Sequence, residues 1–341
     1  MSENTPVIVT EALTRTFTSR KHTVEAVRGL DLEIGRGELV AFLGPNGAGK
    51  STTLRMLTTL LAPTSGRATV AGHDVVAEQD AVRRSIGYVG QGNGAGHQQR
   101  GRDELVSQGR AHGLTRAGAR ARADELIADL DLGAVADRKV STLSGGQRRR
   151  LDIAMGLVHR PEVLFLDEPS TGLDPQNRAN LQVQVERLHA ETGNTIVLTT
   201  HYLEEADALA ERVVVIDHGQ IIADDSAYRL KSGLGDRITL GFADEAGAEL
   251  AAGRAARVPG AQVTRTGRQV VARIAHGNEV VAGLVHDLHL AHHGPASVEV
   301  VRPTLDDVFL ELTGRSLREA NESATTPAGN DNDETDEGAA A

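Results

Sequence analysis

Gly44-Pro45-Asn46-Gly47-Ala48-Gly49-Lys50-Ser51 has the form G-x-x-x-x-G-K-[ST], and its flanks say which fold carries it. Leu39-Val40-Ala41-Phe42-Leu43 before it is an apolar run long enough for one buried strand, and from Thr52 to Leu57 the apolar spacing turns helical. Strand, glycine loop and helix together make a phosphate cradle. Glycines let successive N–H groups turn inward with no Cβ in the way, and the helix adds unpaired N-terminal donors and a positive dipole end. Gly44 to Thr52 therefore reads as a nucleotide-binding stretch. Lys50 belongs against the β- and γ-phosphates, and the Ser51 hydroxyl belongs on Mg²⁺.

Composition sets the frame around this loop. The 341 residues suffice for one large α/β domain and a smaller one. With 2% aromatic residues and no Trp, the core must be built from Val, Leu, Ile and Ala. The absence of cysteine excludes disulfides, thiol catalysis and thiolate metal sites. No apolar run reaches the roughly eighteen residues of a membrane span. Met1-Ser2-Glu3-Asn4-Thr5 lacks the layout of a signal peptide, so the expectation is a soluble, cytoplasmic chain. A net charge of −11 argues against electrostatic binding of nucleic acid.

Further along, the pattern alternates. Val7 to about Ala71 reads as strands around the loop, with Pro63-Thr64-Ser65-Gly66 as a turn. Arg- and Ala-rich helical stretches such as Ala117 to Leu130 dominate from Ile86 to about Arg160, a helical insertion. Val163-Leu164-Phe165-Leu166 and Thr195-Ile196-Val197-Leu198-Thr199 are near-continuous apolar runs of the kind buried in a parallel sheet. Asp217-His218-Gly219-Gln220 reads as a hairpin turn. From near Gly235 a second unit follows: strand, helix (Glu245 to Ala256), hairpin turning at Gly267, helix (Val280 to His292) and strand, the order of a split βαβ unit. The last stretch, rich in Asn, Glu, Thr, Ala and Asp, reads as a disordered acidic tail.

Four more groups carry chemistry. Asp167 and Glu168 end the Val163 run, where ligands bind in open α/β sheets; Asp167 is placed to hold Mg²⁺ and Glu168 to deprotonate an attacking water. Ser144-Gly145-Gly146-Gln147 opens an amphipathic stretch, which makes a second anion-binding helix end. The adjoining Arg148-Arg149-Arg150 reads as a solvated face. His201 ends the Thr195 run beside the acids, within reach of a γ-phosphate, and Gln91 follows the Ile86 to Val89 run, placed to reach the Mg²⁺ and the water.

Taken together, residues 1 to about 235 resemble the ATP-binding subunit of ABC transporters. Gly44 to Ser51 is similar to Walker A, Gln91 to the Q-loop glutamine and Leu143 to Gln147 to the LSGGQ signature. Val163 to Glu168 is similar to Walker B with its catalytic glutamate, Thr171-Gly172-Leu173-Asp174 to the D-loop, and His201 to the switch histidine. Phe17 is placed like the aromatic residue that stacks on adenine. The resemblance implies an α/β fold: a P-loop NTPase core with an antiparallel β subdomain and a helical insertion, a small C-terminal α+β domain and a disordered tail. The boundaries it suggests are 1–234 for the nucleotide-binding domain, about 91–160 for the helical part, 235–316 for the accessory domain and 317–341 for the tail.

The resemblance also implies ATP and Mg²⁺ as ligands and a head-to-tail homodimer in which Ser144, Gly145, Gly146 and Gln147 of one copy close on the γ-phosphate held by the other. Separate integral-membrane permease subunits are the implied partners, which places the chain on the cytoplasmic face of the membrane. Pro303-Thr304-Leu305-Asp306-Asp307-Val308-Phe309-Leu310-Glu311-Leu312-Thr313-Gly314 resembles the ending of daunorubicin-resistance-type export ATPases and implies drug efflux. Export of a lipid, polysaccharide or ion, or a non-transport regulatory ATPase, are the alternatives. One departure stands out: Gly92-Asn93-Gly94-Ala95-Gly96-His97-Gln98-Gln99 follows Gln91 where the family carries larger, often acidic residues, so a flexible loop with little side chain to grip a partner is expected.

Overall fold

Valine- and leucine-rich runs without polar alternation have two faces to bury, and here they form the middle of the molecule. The computed structural model describes residues 5–19, 22–92, 94–96 and 98–325. At the N-terminal side β1 (Pro6–Thr18) and β2 (Thr23–Gly35) pair antiparallel, and with β4 (Ser65–Val70) and β5 (His73–Asp74) they make a sheet in the order β2-β1-β4-β5. The central sheet contains β3 (Leu39–Leu43), β6 (Ile86–Val89), β7 (Val163–Asp167), β8 (Thr195–Thr200), β9 (Arg212–Asp217) and β10 (Gln220–Asp225). Its order is β10-β9-β3-β8-β7-β6, parallel except for β10. Every residue of β3, β7 and β8 is buried.

This register positions the site. Leu43 lies opposite Thr200, Asp167 opposite Thr199, and Val89 opposite Leu166, so the residues that follow β3, β6, β7 and β8 emerge side by side at one edge. Helices α1 (Lys50–Leu57), α2 (Gln79–Ser85), α6 (Pro175–Thr192), α7 (Leu203–Leu209) and α8 (Ala227–Ser232) accompany the sheets. The helical insertion supplies α3 (Gly101–Ala111), α4 (Arg116–Asp129) and α5 (Gly145–Leu157).

The third sheet has the order β12-β13-β11-β14, all antiparallel, from β11 (Asp236–Gly241), β12 (Gln262–Thr266), β13 (Gln269–Ile274) and β14 (Ser297–Val301). Strand β13 lies between β11 and β12, which α9 (Glu245–Ala255) connects: a split βαβ arrangement. With α10 (Gly277–Leu290) these elements enclose their own core of Ile238, Leu240, Ala248, Val270, Ala272 and Leu288.

Two expectations at the C-terminus need correction. The helix α11 (Leu305–Thr313) does not belong to that small core: Leu305, Val308 and Phe309 are buried in the cluster of the central sheet, so the chain returns to the first unit. The expected tail from 317 also begins as structure, because α12 (Leu317–Thr325) buries Leu317 and Ala320 in the same cluster. The reason is local. Ser316 Oγ accepts from the Glu319 N–H and Glu319 Oε2 accepts from the Ser316 N–H, a capping box that starts a helix. Residues 326–341 of the expected tail lie outside the described residues.

Candidate functional site

The glycine loop is held by close backbone approach. A Cβ at Gly44 would lie 2.0 Å from the Ile216 carbonyl oxygen, and one at Gly49, whose φ is 104°, 2.4 Å from the Ala26 carbonyl oxygen. Only glycine fits either place. Gly49 caps α1 without a side-chain bond, which leaves the first-turn amides of Lys50, Ser51 and Thr52 directed at the site. Lys50 is 3% exposed, and its Nζ donates to the Gly44 and Pro45 carbonyls at 2.7 and 2.9 Å. Burial lowers its pKa to about 8, with Glu168 and Asp167 opposing the shift. Pro45, Gly47 and Ala48 complete the loop; the Ala48 carbonyl accepts from the Gly219 N–H at 2.9 Å, which anchors the loop on the β9–β10 turn.

Across the sheet edge, Asp167 is fully buried. Its Oδ1 accepts from Ser51 Oγ at 2.7 Å and Thr199 Oγ1 at 2.8 Å, and Gln91 Nε2 donates to Ser51 Oγ at 3.2 Å. Ser51, Gln91 and Asp167 are thus brought together. A hydroxyl, an amide and a carboxylate offer oxygen donors only, the chemistry that suits Mg²⁺. Among the described residues no His/Asp/Glu cluster of three forms a metal site by itself.

Glu168 has φ +46°, uncommon for a residue with a side chain. Two threonines fix it: its N–H donates to Thr199 Oγ1 at 2.9 Å, and its Oε2 accepts from Thr171 Oγ1 at 3.1 Å. His201 Nδ1 lies 3.7 Å from Glu168 Oε2, too long for a hydrogen bond, and is buried without a hydrogen-bond partner. The nearby His201, followed by the charge of Lys50, holds the Glu168 carboxyl below the usual carboxylate range despite burial. Glu168 is therefore ionised at neutral pH.

Ser144 caps α5 in a reciprocal box with Gln147: Ser144 Oγ accepts from the Gln147 N–H at 3.3 Å and Gln147 Oε1 accepts from the Ser144 N–H at 3.0 Å. Ser144 and Gly145 are exposed, whereas Gly146 is buried, its Cβ position 2.6 Å from Asn177 Oδ1. Among the described residues no hydrogen bond joins this helix end to the chain's own glycine loop. Asp174 caps α6 through the Asn177 N–H at 3.0 Å. Phe17 is 41% exposed under the Arg15 guanidinium, paired with Val24 on the strand that supplies Ala26.

Some partners were not anticipated. Thr199 bridges both acids through one hydroxyl; only the register of β7 on β8 could have revealed it. Arg149, expected on a solvated face, is 7% exposed and donates to the carbonyls of Gly90, Asp167 and Pro169 at 2.6, 3.2 and 2.8 Å. Glu205 on α7 is buried with its pKa raised by that burial. Asn321 of α12 reaches the glycine loop, its Oδ1 accepting from the Asn46 N–H at 2.7 Å. The glycine segment after Gln91 is also less free than expected: Gly94 and Ala95 donate to Asp152, and Gly96 donates to Glu104.

A family model described as "ABC transporter" matches residues 27–171. The chain is 46% identical over 299 residues to the daunorubicin resistance ATP-binding protein DrrA3 of Streptomyces coeruleorubidus, covering 87% of this chain and 94% of that protein. It is 42% identical over 329 residues to the daunorubicin/doxorubicin resistance ATP-binding protein DrrA of Streptomyces peucetius, covering 94% and 98%. Among solved structures, the dimeric post-hydrolysis state of the ATP-binding cassette MJ0796 bound to ADP and phosphate is similar with a TM-score of 0.59 and 26% identity. That likeness covers 64% of this chain and 98% of that one.

Proposed function

The chain belongs to the ABC transporter family, and from that premise we propose that it is the ATP-hydrolysing subunit of an exporter of an antibiotic or other hydrophobic drug. The convergence of Lys50, Ser51, Asp167, Glu168 and His201 at the ends of β3, β7 and β8 carries this reading. The substrate's phosphates are held by the first-turn amides of α1, and Lys50 exchanges its two loop carbonyls for phosphate oxygens. Bound Mg²⁺ supplies neutralisation of phosphate charge, and Ser51, Gln91 and Asp167 are the residues that would hold it. Glu168 takes a proton from water as the water oxygen bonds to the γ-phosphorus and the bond to the β-phosphate oxygen breaks. His201 lies beside that carboxylate, placed to meet the γ-phosphate.

The exposed Ser144–Gly145 helix end, unattached to its own glycine loop, supports its use on the nucleotide of a second copy arranged head to tail. Loss of the γ-phosphate then removes contacts made only in the closed pair. Phe17 and Asp174 are assigned to the adenine and to the dimer contact. A cleft of about 350 Å³ between the core and the helical insertion is lined by Leu60, Gly92, Gly94, Gln108, His112 and Met155, and Leu60 is exposed. A Cβ at Gly92 would meet nothing within 4 Å, which leaves room there for an element of a membrane subunit and supports a peripheral location on the cytoplasmic face. Among the described residues no helix is long and apolar enough to cross a membrane.

Phosphate release by the Glu168→Gln chain tests the reading. Turnover should fall by roughly two to four orders of magnitude, the range for a lost general base, while a fluorescent ATP analogue still binds. Unchanged hydrolysis would remove Glu168 from this role.

A further inference from the structure

Helix α5 presents two buried polar side chains one turn apart, and both act on backbone flanking Gln91. Arg149 donates to the Gly90 carbonyl at 2.6 Å, immediately before Gln91, and to the Asp167 and Pro169 carbonyls around Glu168. Asp152 Oδ1 accepts from the Gly94 and Ala95 N–H groups, both at 3.1 Å. Its spacing of i, i+3 from Arg149 places the two on one face of the helix. A third carboxylate, Glu104 of α3, accepts from the Gly96 N–H at 3.0 Å. The glycines are what let these carboxylates approach: a Cβ at Gly94 would lie 3.3 Å from Asp152 Oδ1, and one at Gly96 2.7 Å from Glu104 Oε1.

Burying Asp152 and Arg149 costs free energy, and a solvated helix face would not require it. What the burial achieves is a fixed distance between α5, whose N-terminus is Ser144, and Gln91, whose amide reaches Ser51 Oγ at 3.2 Å. We propose that Arg149 and Asp152 are positioning residues that clamp both sides of Gln91 to the helix opened by Ser144. The proposal rests on the reading of Gln91 as a residue of the reacting centre.

Two measurements test it on the full chain. Phosphate release is compared for wild type, Gln91→Ala, Asp152→Ala, the double variant and Asp152→Asn. Asp152→Ala should lower kcat roughly ten- to a hundredfold with little change in KM, the range for losing a charged positioning hydrogen bond. Asp152→Asn, which keeps the accepting oxygen, should recover most of the rate. The double variant should be no slower than Gln91→Ala alone, because both changes act through one group. Losses that multiply, or no rescue by Asn, overturn the proposal. A Gln91→Ala rate equal to wild type retires the reading of Gln91 and the clamp's purpose with it. Independently of any variant, the Gly94 and Ala95 amides of wild type should exchange hydrogen more slowly than the Gly92 amide; equal exchange means that no clamp exists.

Discussion

Replacing Thr199 by Val keeps the side-chain shape and removes one hydroxyl that serves both acids. That hydroxyl donates to Asp167 Oδ1 at 2.8 Å and accepts from the Glu168 N–H at 2.9 Å, in a position with no exposure. A hydrogen bond to a charged acceptor contributes about 1.5–3 kcal/mol and a neutral one about 0.5–1.5, so the variant should lose roughly 2–4.5 kcal/mol of folding free energy. The catalytic consequence follows from the backbone of Glu168. Holding a side-chain-bearing residue at φ +46° costs about 1–2 kcal/mol, comparable with the bond that Thr199 makes to its N–H. Without Thr199, the two Thr171 contacts, to the Glu168 carboxylate and to its carbonyl, are left to hold the residue against relaxation to an ordinary φ. The rate should then drop about tenfold, corresponding to about 1.4 kcal/mol of lost orientation. Urea unfolding and phosphate release on the same preparation give both numbers. A variant with wild-type stability and wild-type kcat would refute the claim that Thr199 bridges the acids.

Three further outcomes follow from buried or occupied groups. Burial holds Lys50 near 8 in the free chain, and phosphate returns it toward its ordinary value, so nucleotide binding takes up protons above pH 8 and weakens as pH rises through that range. Calorimetry at pH 9 in buffers of different ionisation enthalpy should show this uptake; buffer-independent heats contradict it. Glu205 has its pKa raised by burial, so its stabilising neutral form is fully present below the unfolded value and is lost as pH rises through the folded one. The Tm of Glu205→Gln relative to wild type should therefore climb as pH rises above the ordinary carboxylate range, and a constant difference argues against a buried, destabilised carboxylate. Asn321→Ala frees the Asn46 N–H in the glycine loop and should tighten ATP binding by roughly two- to tenfold, the scale of one hydrogen bond. Unchanged affinity would mean that the contact does not compete with phosphate.

The parts of the site legible in sequence were those whose chemistry sits in consecutive residues. The loop from Gly44 to Ser51, the acids after Val163 and the Ser144 helix end all follow from local geometry: a strand, a turn that only glycine can make, and a helix end. The parallel sheet was equally legible, because five- and six-residue apolar runs have no polar face to turn outward. Partners that meet only through register or long-range packing were not. Thr199 reads as one more β-branched strand residue, and Arg149 as the middle of a basic run, until β7 lies on β8 and α5 lies under Gly90. The glycines after Gln91 suggested looseness because the carboxylates that hold their N–H groups come from α3 and α5. At the C-terminus, the polar composition after Leu317 outweighed the capping box at Ser316 and the two apolar residues that dock α12.

ATP is proposed to close two copies across the Lys50 loop of one and the Ser144 helix end of the other. Light scattering of purified Glu168→Gln protein, with and without ATP and Mg²⁺, tests this most directly. The predicted result is a monomer without nucleotide that becomes twice the chain mass with ATP and returns to monomer when Ser144 is also changed to Arg. A protein that binds ATP yet stays monomeric, or a dimer indifferent to Ser144, would contradict it.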